Sequence, residues 1–340
     1  MKALVTGGAG YIGSNLVDTL LGRGDEVCII DNLSTGGIAN IRHNLDNPRF
    51  RFVNDTILST STLERLVDES DVIYHLAAAV GVKYIVDDPI GTITTNVRGT
   101  ENVLAMAYRY WKRTVIASTS EVYGKSQGGA LKEDDDRVLG PTTINRWAYS
   151  ASKAIDEHFA FAYFNGGLPV SIVRYFNSYG PRVNEAGYGS VIANFIRQAL
   201  TGATMTVHGD GSQTRCFTFV EDTVRGTMLA GEKAEALGEA FNVGSEDEIT
   251  ILELAHLVRE LCDSQSEIVC IPYLDYYGQS YEDTQRRRPN LSKSQSVLGF
   301  EPQVSLKEGL QKTIAWCREN YTLKRPNGAA SLSGLGRIGN

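Results

Sequence analysis

Short apolar runs alternate with stretches of helical spacing from the start of the chain. Lys2 to Thr6 is an apolar run of strand type. Ile12, Leu16, Leu20 and Leu21 follow at helical spacing, and Glu26 to Ile30 is a second apolar run that stops at Asp31. This order predicts a strand–helix–strand unit. The pattern continues with a strand at Arg51 to Asp55, helical spacing through Leu63, Leu66 and Val67, and a strand at Asp71 to Ala78 that ends in small residues. Thr94 to Tyr110 reads as a long helix with Val97, Val103, Leu104 and Ala107 on its apolar side. Thr114 to Ala117 is a strand running into Ser118–Gly124, a helix opens at Tyr149, and Pro169 to Arg174 is the next strand. Strand and helix in strict alternation predict an α/β fold, a Rossmann-type doubly wound parallel sheet, whose ligands bind at the carboxyl ends of the strands.

From Asn177 onward glycines, prolines and basic residues become denser, in Tyr179–Arg182 and His208–Arg215, which read as recognition loops. Phe241 to Gly244 reads as a strand returning to the first unit, and Leu252–Leu261 and Leu306–Asn320 as helices. The expected division is a dinucleotide-binding domain over 1–176 with a return segment at about 217–245, and a smaller substrate domain over 177–216 and 246–323. Residues 324–340, rich in glycine and serine, are expected to be a disordered tail. The net charge of −7 and pI of about 5.4 give no basic footprint for nucleic acid. No charged-apolar-small leader and no apolar run of membrane length is present, so a soluble cytoplasmic protein without membrane contact is expected. The five scattered cysteines lack metal-ligand spacing; they are expected to be reduced and buried, with no metal.

The glycines after the first strand have separate tasks. Gly7 permits the tight turn, Gly10 lets the backbone approach a pyrophosphate, and Gly13 lets the helix pack on the sheet. Backbone N–H groups at the helix start then face phosphate charge. Asp31 can accept from both ribose hydroxyls and repels a 2′-phosphate, which favours NAD over NADP. Asp55 and Thr56, at a strand end, are placed for the adenine edge, and Ala77 and Ala78 leave room for the ribose and nicotinamide. Tyr149 and Lys153 lie four apart on one helix face. A lysine ammonium near a phenol lowers its pKa, making Tyr149 a candidate base for a hydroxyl proton as hydride leaves the same carbon.

Gly-Gly-Ala-Gly-Tyr-Ile-Gly, Asp31, His75–Ala78, Ser118–Gly124, the Tyr149/Lys153 pair and Arg174–Pro181 together resemble the extended short-chain dehydrogenases/reductases that act on nucleotide sugars. The resemblance spans about residues 1–320 and implies a tightly held NAD that oxidises the sugar at C4. It assigns Tyr11, Ile12, Asn32 and Asn96 to the cofactor, and Lys83, Ser120, Arg146, Asn177, Arg182, Asn194 and Arg215 to the substrate, with Arg215 on the diphosphate. Thr119 would hydrogen-bond O4. Glu121 is an added carboxylate where simple 4-epimerases carry a neutral residue, which implies a step beyond C4. The stretch from Gly140 to Tyr149 resembles UDP-glucuronate decarboxylases, and Arg286-Arg287-Arg288-Pro289 resembles their Arg-Lys-Pro, with Arg287 near the sugar carboxylate. The implied activity is decarboxylation of UDP-glucuronate to a UDP-pentose or UDP-4-keto-pentose. Val80–Tyr84 looks more like 4-epimerases, which, with 4,6-dehydratases and a non-catalytic NAD-binding scaffold, are the alternatives. The resemblance also implies a homodimer through helices 94–110 and 149–164, with Ala105, Phe159 and Tyr163 offering apolar surface.

Overall fold

The computed structural model describes residues 1–80, 88–125, 129–183, 190–272 and 284–322. Its centre is a parallel sheet of seven strands: β1 (Lys2–Thr6), β2 (Glu26–Ile30), β3 (Phe50–Val53), β4 (Val72–His75), β5 (Arg113–Thr119), β6 (Val170–Tyr175) and β11 (Ala240–Val243). They lie in the order β11-β6-β5-β4-β1-β2-β3. The predicted returning strand therefore exists, paired with β6 in the register Phe241 to Val173. Strand order reverses about β1, which lies between β2 and β4, so the Gly-rich turn leaving β1 opens at the switch point.

Side chains alternate across the sheet with period two. Leu4, Ile30, Ile73, Ile116 and Ile172 join one buried cluster with α2 (Thr60–Asp68) and α4 (Gly99–Arg109). Val5, Ile29, Tyr74, Val115 and Val173 join the other with α1 (Tyr11–Arg23) and α7 (Val220–Glu232). Both faces are covered, which is why the strands read as continuous apolar runs. Each such side chain contributes on the order of 1.5–3 kcal/mol of burial. Gly24, with φ +99°, closes α1 in the left-handed conformation.

Several boundaries differ from the sequence reading for identifiable local reasons. The helix expected from Thr94 begins at Pro89: α3 (Pro89–Ile93) is capped by Asp88, which accepts from Gly91 N, and runs through a π-helical turn at Thr94–Arg98 into α4. The helix expected to open at Tyr149 is α5 (Arg146–Asn165), three residues longer at its start. The fourth strand stops at His75, and Leu76–Val80 is loop. The recognition region contains elements that the sequence reading passed over. β7 (Ser178–Tyr179) pairs with β10 (Thr218–Phe219), which α7 follows directly. α6 (Val191–Thr201) is capped by Ser190, and β8 (Met205–His208) pairs with β13 (Ile268–Ile271). The His208–Arg215 loop ends in β9 (Thr214–Cys216), which takes β12 (Glu248–Thr250) on one edge and β14 (Arg286–Arg287) on the other. α8 (Ile251–Leu261) carries a Thr250/Glu253 capping box, and α9 (Leu306–Asn320) is capped by Ser305.

All five cysteines are free, but the expectation that all are buried fails: Cys270 is exposed on the short β8–β13 sheet and Cys28 is half-buried. Among the described residues no group of acidic, histidine and cysteine side chains could hold a metal, and no helix is long and apolar enough to cross a membrane. Lys83, the Val80–Tyr84 loop beyond Val80, and the tail 324–340 lie outside the described residues.

Candidate active site

The turn after β1 has the form its glycines predict. Gly7 has φ +70°, and a Cβ there would stand 2.8 Å from Ala77 Cα; at Gly13 it would stand 2.2 Å from the Gly7 carbonyl oxygen. Both positions exclude a side chain. The N-cap Gly10 offers no side-chain cap, and the first turn of α1 has no acidic residue, so its N–H groups are left for an anion. Asp31 is buried and accepts from Ala9 N (2.9 Å) and Leu33 N (2.8 Å), while burial raises its pKa. The cradle therefore fits a dinucleotide, with Gly7, Gly10, Gly13 and Asp31 in the places that the motif requires.

The other cofactor candidates divide. Ala77 and Ala78 are half-buried at the carboxyl end of β4, with Ala77 N donating to Thr6 Oγ1. Ile12 is half-buried in the first turn of α1, while the Tyr11 hydroxyl is turned to Ser178 (3.2 Å). Asn96 is fully buried and bonds Ala79 N and Ser152 Oγ, so it fixes the β4 loop to α5. Asn32 accepts from Ser34 N, and Asp55 accepts from Thr56 N and Thr62 Oγ1, so both side chains hold local turns.

The reacting end is assembled from distant segments. Thr119, last in β5, caps a short 3-10 turn at Ser120–Tyr123 and accepts from Glu121 N (3.2 Å). Ser150 Oγ donates to the Glu121 carbonyl (2.6 Å), which locks that turn to α5, while Ser120 is buried beneath it. Tyr149 shares a side-chain hydrogen bond with Thr119. Glu121 Oε1 meets two arginines: Arg287 Nη1 at 3.3 Å and Arg146 Nη2 at 4.0 Å. Arg287 on β14 is in register with Arg215 on β9, and both are buried. Thr119, Glu121, Arg146, Tyr149 and Arg287 thus converge, with Arg215 the cross-strand neighbour of Arg287.

Burial, followed by the charges of Glu121 and Asp156, raises the Tyr149 pKa, and the Thr119 hydrogen bond only partly offsets them. Lys153 Nζ lies 2.8 Å from the buried Asp156. The sequence pair fixes the i, i+4 placement, but the charge on Tyr149 depends on neighbours that the motif omits.

Arg182 pairs with Asp18 of α1, and Asn177 Nδ2 donates to the Cys216 carbonyl (3.0 Å). Asn194 lies half-buried on α6. Sequence reasoning gave no role to the buried assembly beneath the site. Arg174 donates to Glu157 and to the Tyr123 hydroxyl (2.9 Å), Ser118 donates to Glu157, and Tyr123 donates to Asn242 (2.7 Å). The available signal was Glu157, an acid on the helix face that carries Lys153.

Fold and site together define an extended short-chain dehydrogenase/reductase. Residues 4–313 match the family model described as GDP-mannose 4,6 dehydratase, and the chain belongs to that family, as an enzyme. It is 42% identical to UDP-N-acetyl-alpha-D-glucosaminuronate decarboxylase of Bacillus cytotoxicus, over 94% of this chain and 98% of that protein. It is 39% identical to UDP-glucuronic acid decarboxylase 1 of Arabidopsis thaliana, over 93% of this chain and 69% of the relative. UDP-glucuronic acid 4-epimerase from Bacillus cereus, solved with UDP-glucuronic acid and NAD, superposes with a TM-score of 0.83 at 31% identity, over 94% of this chain and 100% of that one.

Proposed function

We propose that this chain is an NAD-dependent decarboxylase of a UDP-linked hexuronate, UDP-glucuronate or its 2-acetamido analogue. The observation that carries the reading is the convergence of Arg287 and Arg146 on one oxygen of Glu121, beside Thr119 and Tyr149. Two largely buried guanidiniums are suited to a sugar carboxylate, and an epimerase has no need of an added acid there. Gly7, Gly10, Gly13 and Asp31 would hold the NAD, which supplies oxidation at C4 when bound. Tyr149 takes the C4 hydroxyl proton, while Thr119 holds O4. Once C4 is a ketone the acid is a β-keto acid that loses CO₂, its bonding electrons passing into an enolate that then takes a proton at C5, and Arg287 orients the carboxylate or supplies that proton. Glu121 holds or deprotonates the sugar, and Arg215 neutralises the diphosphate.

In the same reading, residues 1–176 with 217–245 bind the dinucleotide and 177–216 with 246–323 bind the nucleotide sugar. The protein acts in the cytoplasm, where its five free cysteines stay reduced. Dimerisation uses the helical face of α3 to α5, supported by exposed Ile90, Ile93 and Ile155; Ala105, Phe159 and Tyr163 are only half-buried on the same helices. Light scattering at micromolar concentration should give twice the chain mass.

The deciding experiment is incubation with UDP-glucuronate, UDP-N-acetylglucosaminuronate, UDP-glucose, UDP-N-acetylglucosamine and GDP-mannose separately, with product masses recorded. Loss of CO₂ from a uronate is expected. Loss of water would make the chain a dehydratase, and an isomer of unchanged mass an epimerase.

A further inference from the structure

Two adjacent acids of α5 are buried, and each has its own cation. Glu157 is taken by Arg174, whereas Asp156 lies against Lys153, with side-chain exposures of 0% and 3%. Asp156 Oδ1 has no hydrogen-bond partner in the structure, so among the described residues its compensation rests on Lys153, with help from the Thr100 hydroxyl. A buried ion pair seldom adds net stability, while removal of one partner strands a charge. Such a pair on the lysine of the reactive couple therefore needs another explanation than stability.

The surroundings supply one. Thr100 Oγ1 lies 2.9 Å from His75 Nε2, His75 Nδ1 lies 2.7 Å from Thr6 Oγ1, and Thr6 Oγ1 accepts from Ala77 N. A neutral His75 carrying its proton on Nε2 lets every member of this chain donate in one direction, from the Ala77 N–H toward the α4–α5 interface where Asp156 sits. The chain thus connects the residue before the Gly-rich turn, the loop after β4 and the neighbourhood of the lysine. Nothing in the motif demands an acid at position 156.

We propose that Asp156 is a positioning residue that anchors the Lys153 ammonium and limits the charge that ammonium presents to Tyr149. The proposal rests on the reading of Tyr149 as the proton acceptor. The charged and titratable groups facing the couple are Glu121 from the turn after β5, with Arg146 of α5 and Arg287 of β14 against it, Asp156 and Glu157 from α5, His75 from β4 and Arg174 from β6. Of these, Glu157 and Arg174 neutralise each other, and His75 is held neutral by burial. Asp156 is therefore the group whose loss most changes the field at Lys153.

Two measurements on the purified full chain test it. The first needs no activity: thermal unfolding of Lys153→Met, Asp156→Asn and the double variant. Lys153→Met strands the carboxylate, so the double variant should melt above Lys153→Met alone. Additive losses would overturn the pair. The second follows reduction of the bound cofactor in a single turnover, against pH, with whichever nucleotide sugar the enzyme accepts. That step is common to decarboxylase, epimerase and dehydratase, so failure of the decarboxylase reading leaves it interpretable. In Asp156→Asn, which keeps an acceptor for Lys153 and loses the charge, the acid limb should move to lower pH by about one unit. An unmoved limb with a lowered melting temperature would make Asp156 merely structural and overturn the proposal. Asp156→Ser is the second neutral variant, with the same expected direction, should the first fail to fold.

Discussion

The Gly7–Gly13 turn and the Thr119–Tyr149–Arg287 cluster are built in opposite ways. The turn is a single stretch of seven residues whose shape is set by backbone conformation, and contacts reinforce it: a methyl at Gly13 meets the Gly7 oxygen at 2.2 Å. The cluster gathers three segments spread over about half the chain, and its character depends on which charges those segments bring together. Local geometry follows from residue type, whereas charge state follows from neighbours. The same Tyr149 that the i, i+4 spacing puts on one helix face with Lys153 has its pKa moved upward by burial, Glu121 and Asp156.

The largest effect should come from the residue on which the cluster closes. Tyr149→Phe removes the proposed proton acceptor and the Thr119 hydrogen bond while leaving the turn untouched. Turnover should fall by about 10⁴-fold, with bound NAD retained, as read from product formation and from cofactor released by acid. Wild-type turnover would detach Tyr149 from the chemistry, and loss of cofactor would show that the two regions are not separable.

Glu121→Gln comes next. It keeps the size and a hydrogen-bonding oxygen for Arg287 and Arg146 but removes the charge they share. If the carboxylate works after C4 oxidation, overall turnover should fall by about 10³-fold, while cofactor reduction in a single turnover survives. Wild-type rates throughout would leave Glu121 as support for the arginines and favour the epimerase reading.

Legibility follows the same division. The β1–α1–β2 unit, the returning strand at Phe241 and the helix Leu306–Asn320 were readable, because apolar period and terminal signals coincide there. α3 is not evident from the apolar stripe, which begins at Thr94, although Asp88-Pro89 is a cap followed by a first-turn proline. In the site, Thr119, Glu121, Tyr149 and Arg287 were named from motif positions and do meet. The pairing of Lys153 with Asp156 and of Glu157 with Arg174 was not legible, because acids and bases far apart in sequence, or three apart on an ordinary helix, give no sign of burial.

A smaller loss is expected at the turn itself. Gly13→Ala forces α1 away from the Gly7 carbonyl, and overpacking of this kind costs on the order of 1–3 kcal/mol. The protein should fold with a lowered melting temperature and carry less NAD, measured as cofactor per chain. Full cofactor content in the folded variant would place the dinucleotide elsewhere and break the comparison on its better-understood side.

The mildest test at neutral pH probes whether charge state also shapes the fold beneath the cofactor. His75 is fully buried between Thr6 and Thr100, and desolvation, with the Lys153 charge adding to it, lowers its pKa to about 3. An unfolded histidine titrates near pH 6.5. Between those values the unfolded chain binds a proton that the folded chain refuses, so stability from this group is complete above about pH 6.5 and is lost progressively as the pH falls toward 3. Moving from pH 7 to 5 should therefore cost about 2 kcal/mol through this residue alone. Other groups titrate in the same range, so the informative quantity is a difference: denaturant unfolding of wild type and His75→Gln at both pH values. The variant starts less stable, because Thr6 and Thr100 lose their bridge, but it should lose less on acidification. Equal losses in the two proteins would mean that His75 is protonated in the fold. The one-directional hydrogen-bond chain would then reverse at Thr6, whose hydroxyl oxygen would accept from both Ala77 N and His75 Nδ1, and the neutral histidine assumed beside Lys153 would have to be abandoned.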